Sequence, residues 1–436
     1  MLCWVKEIST ETIEINNNVE LEQEKKTTTK KTKKTEVVND PHNLDIINVP
    51  SLGPKSAESL KSGGITTAHQ LMTTPLNDLE VLGITRTQAK KFRENILKLF
   101  SDVYADFVEE QSLEDIEGIG PTTAKSLREK GMNIYLLETT PIRELEEKYG
   151  ITSNSAIKYQ TAIAESKGGW FTDAHTFMQQ QLKSDCFTFG VESLDLLFSI
   201  PEMNSSGIRA GESYEFFGSF RSGKSQLCHQ LCVTVQLPRE KGGLGKKAIY
   251  VDTEGTFSPS RLTQMAQRIK EEKEWDKPVE HILKDIMYAR AKTSDMQMGI
   301  THKLTEILGN HKDEYALLII DSVSAHFRAE YSGRGTLAER QQLLNYHLSI
   351  LHRIADTYGL AVIVTNQVQA NPAQFFGDPT QAVGGNIMGH WATHRCYLRK
   401  SKGEKRVIKI FDSPSIGELE AVFEIRETGV VSSESD

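Results

Sequence analysis

Gly218-Ser219-Phe220-Arg221-Ser222-Gly223-Lys224-Ser225 is the stretch that decides the fold. It fits G-x-x-x-x-G-K-[ST] at every constrained position, a pattern whose glycines let backbone N–H groups close on phosphate oxygens. The flanks supply the context the motif needs. Tyr214-Glu215-Phe216-Phe217 predicts a strand before the loop, and the residues from Gln226 onward predict a helix after it. In that setting the eight loop residues and the helix N-terminus cradle the phosphates of a nucleotide. Lys224 reaches the β- and γ-phosphates and the Ser225 hydroxyl ligates Mg²⁺.

Working outward, Ala248-Ile249-Tyr250-Val251, Leu317-Leu318-Ile319-Ile320 and Leu360-Ala361-Val362-Ile363-Val364 read as further short buried strands, separated by helices such as 338–358. Buried strands alternating with helices imply a mainly parallel sheet covered on both faces. Three polar residues stand at the ends of these strands. Asp321 follows the third and is placed to join a Mg²⁺ shell, or to cap a helix, or both. Glu254, in Tyr250-Val251-Asp252-Thr253-Glu254-Gly255, is placed to act as general base on an attacking water. Gln367, in Thr365-Asn366-Gln367, can hydrogen-bond a γ-phosphate and sense its loss.

The rest of the composition narrows the class. A chain of 436 residues with 51 Lys plus Arg against 59 Asp plus Glu carries a net charge of −8, so any nucleic-acid footprint must be local. No apolar run approaches the ~18 residues of a membrane span, and charge enters at Lys6-Glu7, too early for a secretory leader. Five scattered cysteines argue against a disulfide framework and for a reducing, cytoplasmic setting. Cys228 and Cys232 share a helix face without further ligands, and small buried residues are the better reading.

Residues 1–43 hold the run Lys25-Lys26-Thr27-Thr28-Thr29-Lys30-Lys31-Thr32-Lys33-Lys34-Thr35 and are expected to form an unfolded arm, since nothing apolar is available to bury. An internal repeat follows. Val49-Pro50-Ser51-Leu52-Gly53-Pro54 aligns with Ile116-Glu117-Gly118-Ile119-Gly120-Pro121 at a spacing of 67 positions. Each copy reads as helix, tight apolar-glycine hairpin and helix, which resembles the helix-hairpin-helix module that grips a DNA backbone. Gly118 and Gly120 are the candidate DNA contacts of the second copy. The first has Pro50-Ser51 where a glycine is expected, and there helical packing or protein contact is the favoured alternative.

Together these motifs resemble those of the RecA-type recombinases, most closely the archaeal RadA family and its eukaryotic counterpart, over roughly residues 104–432. Beyond the phosphate loop, Tyr331-Ser332-Gly333-Arg334-Gly335, Leu337-Ala338-Glu339-Arg340-Gln341-Gln342, Asn366-Gln367-Val368-Gln369-Ala370-Asn371-Pro372 and Gly384-Gly385-Asn386 carry the likeness. The resemblance implies an α/β RecA-like P-loop ATPase core at 187–436. Before it come small all-α helix-hairpin-helix domains at 44–100 (degenerate) and 104–167, and a linker at 168–186. It implies ATP and Mg²⁺ as cofactors and DNA-dependent ATP hydrolysis with Glu254 and Gln367 as catalytic residues. Single-stranded and duplex DNA are the implied partners, with recombination mediators and other copies of the chain, in a filament or ring. A nucleoid-associated location follows.

The same likeness places two DNA-binding loops on Arg328 to Arg340 and on Gln369 to Gly389, with Arg328, Arg334 and Arg340 as phosphate contacts; ion pairs with Glu330 and Glu339 are the alternative. Arg261 would stack on adenine, and Asp412 and Pro414 would cap the ATP of the adjacent subunit. His390 would respond to the γ-phosphate. In Phe171-Thr172-Asp173-Ala174, Phe171 and Ala174 would insert into a neighbouring core. Ser219, Asp173 and Gly417 depart from the family pattern. The reading is thus an ATP-dependent strand-exchange recombinase. Its rivals are a paralogue that mediates with little turnover and a hexameric motor.

Overall fold

The computed structural model describes residues 41–74, 76–100, 112–200, 205–333, 335–370 and 380–433. The Lys/Thr-rich run therefore lies outside the described residues, as does Arg334. The chain divides into two compact units, residues 1–110 and 111–436.

The first unit contains helices Pro54–Ser62, Ala68–Thr73, Leu76–Val81 and Arg86–Leu99. Thr67 and Thr85 cap the second and fourth, each in reciprocal bonding with a glutamine three residues on, Gln70 and Gln88. Leu60, Leu71, Leu79, Ala89, Phe92 and Ile96 form its core. The second unit begins with the same plan, as Pro121–Glu129, Ile134–Thr139, Ile142–Tyr149 and Ser153–Ser166. Corresponding residues repeat the backbone. Gly53 and Gly120 both precede a first-turn proline at φ −78° and −77°. Gly118 turns its hairpin at φ 94°, and Ser51 does so at φ 70°, a left-handed conformation that a side chain disfavours. The missing glycine of the first copy has changed the residue without changing the turn.

Within the second unit this helical repeat packs on the α/β core. The Tyr135 and Tyr358 rings lie 5.5 Å apart, and Arg353 stands 4.0 Å from Glu144. Between repeat and core runs the helix Ala174–Leu182, which has no buried residue.

The core is built on a nine-stranded sheet. In chain order its strands are β1 (Ser213–Gly218), β2 (Lys247–Asp252), β3 (Ile286–Arg290), β4 (Tyr315–Asp321), β5 (Ala361–Asn366), β6 (His394–Lys400), β7 (Lys405–Asp412), β8 (Glu420–Arg426) and β9 (Gly429–Ser432). Their order across the sheet is β9-β8-β7-β6-β1-β5-β4-β2-β3. From β6 to β3 every pairing is parallel, while β6, β7, β8 and β9 are joined antiparallel. Buried residues alternate between the two faces as a strand period of two requires. Tyr250, Leu317, Ile319 and Ile363 pack on one side against Leu227 and Leu262. Val251, Leu318, Ile320 and Val364 pack on the other against Leu304, Leu344 and Leu348. Among the described residues no helix is long and apolar enough to cross a membrane.

Candidate active site

The carboxyl ends of parallel strands β1, β5, β4 and β2 meet at one edge, and the predicted polar residues follow from that topology. β1 is buried throughout between β6 and β5. Its one charged residue, Glu215, is neutralised in place, accepting from Arg395 Nε and Asn366 Nδ2 at 2.7 Å each. The strand must then turn into the helix Lys224–Thr234 with little room. A Cβ on Gly218 would overlap the Leu398 carbonyl, and Gly223 adopts φ 105°. Arg221 holds φ 62° between them, and its carbonyl accepts from Arg406 Nε at 3.2 Å.

This loop lines a cleft of about 760 Å³ together with Gln226, Glu254, Arg261, Asp321, Ser322, Thr365 and Gln367. The residues present fit a polyphosphate. Among the described residues Lys224 Nζ has only the loop's own carbonyls as partners, Gly218 at 2.9 Å and Ser219 at 3.0 Å. The buried Ser222 Oγ has no protein partner among the described residues. Burial lowers the Lys224 pKa, while the Asp321 and Glu254 carboxylates act in the opposite direction.

Asp321 is 3% exposed, and hydroxyls fix both its oxygens. Tyr250 OH donates to Oδ2 at 2.5 Å, and Thr365 Oγ1 donates to Oδ1. Glu254 sits on a loop shaped by Asp252, the residue paired with Asp321 across β2 and β4. Asp252 Oδ1 accepts the N–H groups of Glu254, Gly255 and Thr256 at 3.0, 2.7 and 3.3 Å. Glu254 Oε1 in turn accepts from Ser322 Oγ at 2.7 Å and from Gln367 Nε2 at 3.0 Å. Gln367 Oε1 accepts from Arg328 Nη1 at 3.2 Å.

Arg261 lies at the cleft wall, tied to Gln226 at 2.6 Å and to the carbonyls of Arg426 and Glu427. Other expected residues lie outside this cleft. Asp412 is exposed at the end of β7 and Pro414 just beyond it. His390 is exposed on the helix Asn386–Trp391, beside Asn345, Ser349 and His352. Arg340 is half-buried near the start of helix Leu337–Tyr358. Neither Arg328 nor Arg340 forms an ion pair among the described residues. Glu330 instead accepts from Ser294 N at 2.9 Å, at the start of helix Ser294–Asn310. Phe171 is 93% exposed and Ala174 opens the following helix. Gly118 and Gly120 remain exposed on their hairpin.

Two expectations change in form. The segment 369–389, read as one long loop, contains a ribbon pairing Val368–Ala370 with Thr380–Ala382 and the helix Asn386–Trp391. Val383 and Met388 are buried there, and their burial orders the ends of the segment. The run from Arg395 to Lys409, which in sequence reads either as a phosphate-attracting basic hairpin or as a solvated one, is partly paired, with Lys400 and Lys402 left exposed. Arg399 pairs with Glu420 at 3.1 Å and Lys409 with Glu418 at 2.7 Å, while Arg406 is buried behind the phosphate loop. Reading the sequence missed Asp252, Ser322, Thr365 and Arg406 as parts of the site. The first three flank predicted residues, so adjacency was the available signal; Arg406 carried none.

Comparison with known proteins agrees with this architecture. A family model described as Rad51 matches residues 186–433. A curated relative, the DNA repair and recombination protein RadA of Aeropyrum pernix, is 42% identical over 322 residues, which span 73% of this chain and 96% of that protein. With the model covering more than half of the chain and the relative matched nearly end to end, the chain belongs to the Rad51 family of RecA-type recombinases.

Proposed function

We propose that this chain is an ATP-dependent DNA strand-exchange recombinase, acting in homologous recombination and DNA repair as helical filaments on single-stranded DNA. The observation that carries the reading is the unbroken chain Arg328–Gln367–Glu254–Ser322, which joins the candidate DNA-binding segments to the phosphate cleft.

Each residue's part follows from its chemistry. The N–H groups of the 218–225 loop hold phosphate oxygens, and Lys224 exchanges its loop carbonyls for the β- and γ-phosphates. Ser225 ligates Mg²⁺. The oxygens of Asp321 already accept from Tyr250 and Thr365, which suits it to hold a water of the Mg²⁺ shell. The metal supplies charge neutralisation on the transferred phosphoryl group. Glu254 orients the attacking water and accepts its proton. Gln367 reports the γ-phosphate to the segments bearing Arg328, Arg334 and Arg340, whose guanidinium groups suit DNA phosphates. Arg261 packs on the adenine.

Assembly uses the neighbouring copy. Phe171, with its ring in solvent, and Ala174 dock into an adjacent core, as expected of an aromatic anchor at an interface. Asp173 fits this role, because its carboxylate points back to cap Thr176 N at 2.9 Å. Asp412 and Pro414 cover the adjacent subunit's nucleotide, and His390 responds to it. The second helical repeat offers the Gly118–Gly120 hairpin to duplex DNA, and recombination mediators are further partners. A strand-exchange assay tests the reading. Homologous single strand should displace its counterpart from a duplex with ATP and Mg²⁺ and not with ADP; equal yields with both nucleotides would overturn it.

A further inference from the structure

We infer that Ser322 is a positioning residue for ATP hydrolysis, acting through Glu254; this rests on the reading of Glu254 as the residue that orients water. Ser322 follows Asp321 at the carboxyl end of β4, so one turn of chain places its hydroxyl between the metal-side carboxylate and the base. Its Oγ donates to Glu254 Oε1 at 2.7 Å, within the range of a charge-assisted hydrogen bond. Ser322 is itself held. Its N–H donates to Thr253 Oγ1 at 2.7 Å, and Thr253 Oγ1 donates to the Ser322 carbonyl at 2.8 Å. Thr253 N donates to the Asp321 carbonyl at 2.8 Å. The strand end of β4 is thereby bolted to the residue immediately before Glu254.

Ser322 is 1% exposed and Thr253 2%, so this link cannot relax into solvent. Gln367, the other donor to Glu254 Oε1, is exposed and shared with Arg328. The two donors thus divide the work. Gln367 is free to move with the DNA-binding segments, and Ser322 keeps the carboxylate aimed while it does so. Both bonds fall on Oε1, which leaves Oε2 with no protein partner among the described residues and available to a water. Small displacements of such a group lower turnover steeply.

The test compares Ser322→Ala, Ser322→Cys and Glu254→Gln in the full chain with single-stranded DNA. Steady-state ATP hydrolysis, equilibrium binding of a fluorescent ATP analogue and filament lifetime after free nucleotide is removed are measured. Ser322→Ala is expected to lower kcat roughly tenfold, with analogue affinity within about twofold of the parent and longer-lived filaments. Ser322→Cys, which keeps a weak S–H donor, is expected to recover part of kcat. Unchanged kcat in Ser322→Ala, alongside inactive Glu254→Gln, would overturn the role of Ser322 alone. Loss of analogue binding in both Ser322 variants would overturn it in favour of a structural role. Full turnover by Glu254→Gln would overturn the underlying assignment of the base.

Discussion

Gln367 joins Arg328 to Glu254: its amide oxygen accepts from Arg328 Nη1 at 3.2 Å, and its amide nitrogen donates to Glu254 Oε1 at 3.0 Å. A side chain that bonds both a candidate DNA contact and the candidate base couples them without any large movement. Engaging Arg328 with a phosphate takes away one partner of Gln367 and shifts the other.

Replacement of Gln367 by Ala is accordingly expected to uncouple the two activities. Hydrogen bonds to charged groups are worth about 1.5–3 kcal/mol, so DNA-stimulated turnover should fall about tenfold or more, towards the DNA-free rate. ATP hydrolysis measured with and without single-stranded DNA checks this, and nucleotide affinity should stay near that of the parent.

Self-association should depend on Phe171. Its ring is 93% exposed, and Trp170 and Phe177 nearby are 67% and 51% exposed. Anchors of this type contribute about 2 kcal/mol or more to an interface. Phe171→Glu is therefore expected to weaken assembly at least about 30-fold. Light scattering across a concentration series reads the change, and ATP binding by the dispersed chain should persist.

The first repeat contains an imperfect turn that can be repaired. Ser51 occupies φ 70° where Gly118 occupies φ 94° in the second copy. Left-handed backbone costs a side-chain-bearing residue about 1–2 kcal/mol, and glycine entropy takes back about 0.5–1 kcal/mol, so Ser51→Gly should stabilise the unit by roughly 0.5–1 kcal/mol. Slower amide exchange in the helix Pro54–Ser62 is the expected signature.

Acid should destabilise the ATPase core through two buried histidines. Burial holds His229, stacked on Tyr250, down at about 4, and holds His347, beside Gln297, at about 3. The unfolded chain takes up protons at these rings from about pH 6.5 downward while the folded chain does not. Their neutral burial is therefore without cost above that pH, and stability drains as pH falls from about 6.5 towards 4. Linkage gives roughly 2 kcal/mol lost per ring by pH 5. Denaturant unfolding at pH 7, 6 and 5 should show a falling midpoint, and a single replacement of His347 that folds should flatten the slope.

The parallel half of the core was legible because its strands are short, apolar and fully buried, and because the phosphate loop marks where one of them ends. The repeat was legible from glycine and proline spacing, while the matching caps at Thr85 and Thr152 emerged only from the structure. What escaped were relationships between distant positions. Arg406 reads as one cation in a basic run, and only the β7 register places it behind Arg221. Strand β3 was not anticipated, since Ile286-Met287-Tyr288-Ala289-Arg290 lies at the sheet edge with mixed burial rather than as a uniform apolar run. Ser322 and Thr253 look like ordinary small polar residues until β2 and β4 are paired.

The central claim, that nucleotide state governs a filament on single-stranded DNA, is tested most directly by electron microscopy of the full chain on single-stranded DNA with ATP-Mg²⁺ and with ADP. Regular helical filaments that require ATP, and that Phe171→Glu abolishes, are the predicted result. Isolated particles or closed rings with both nucleotides would contradict it.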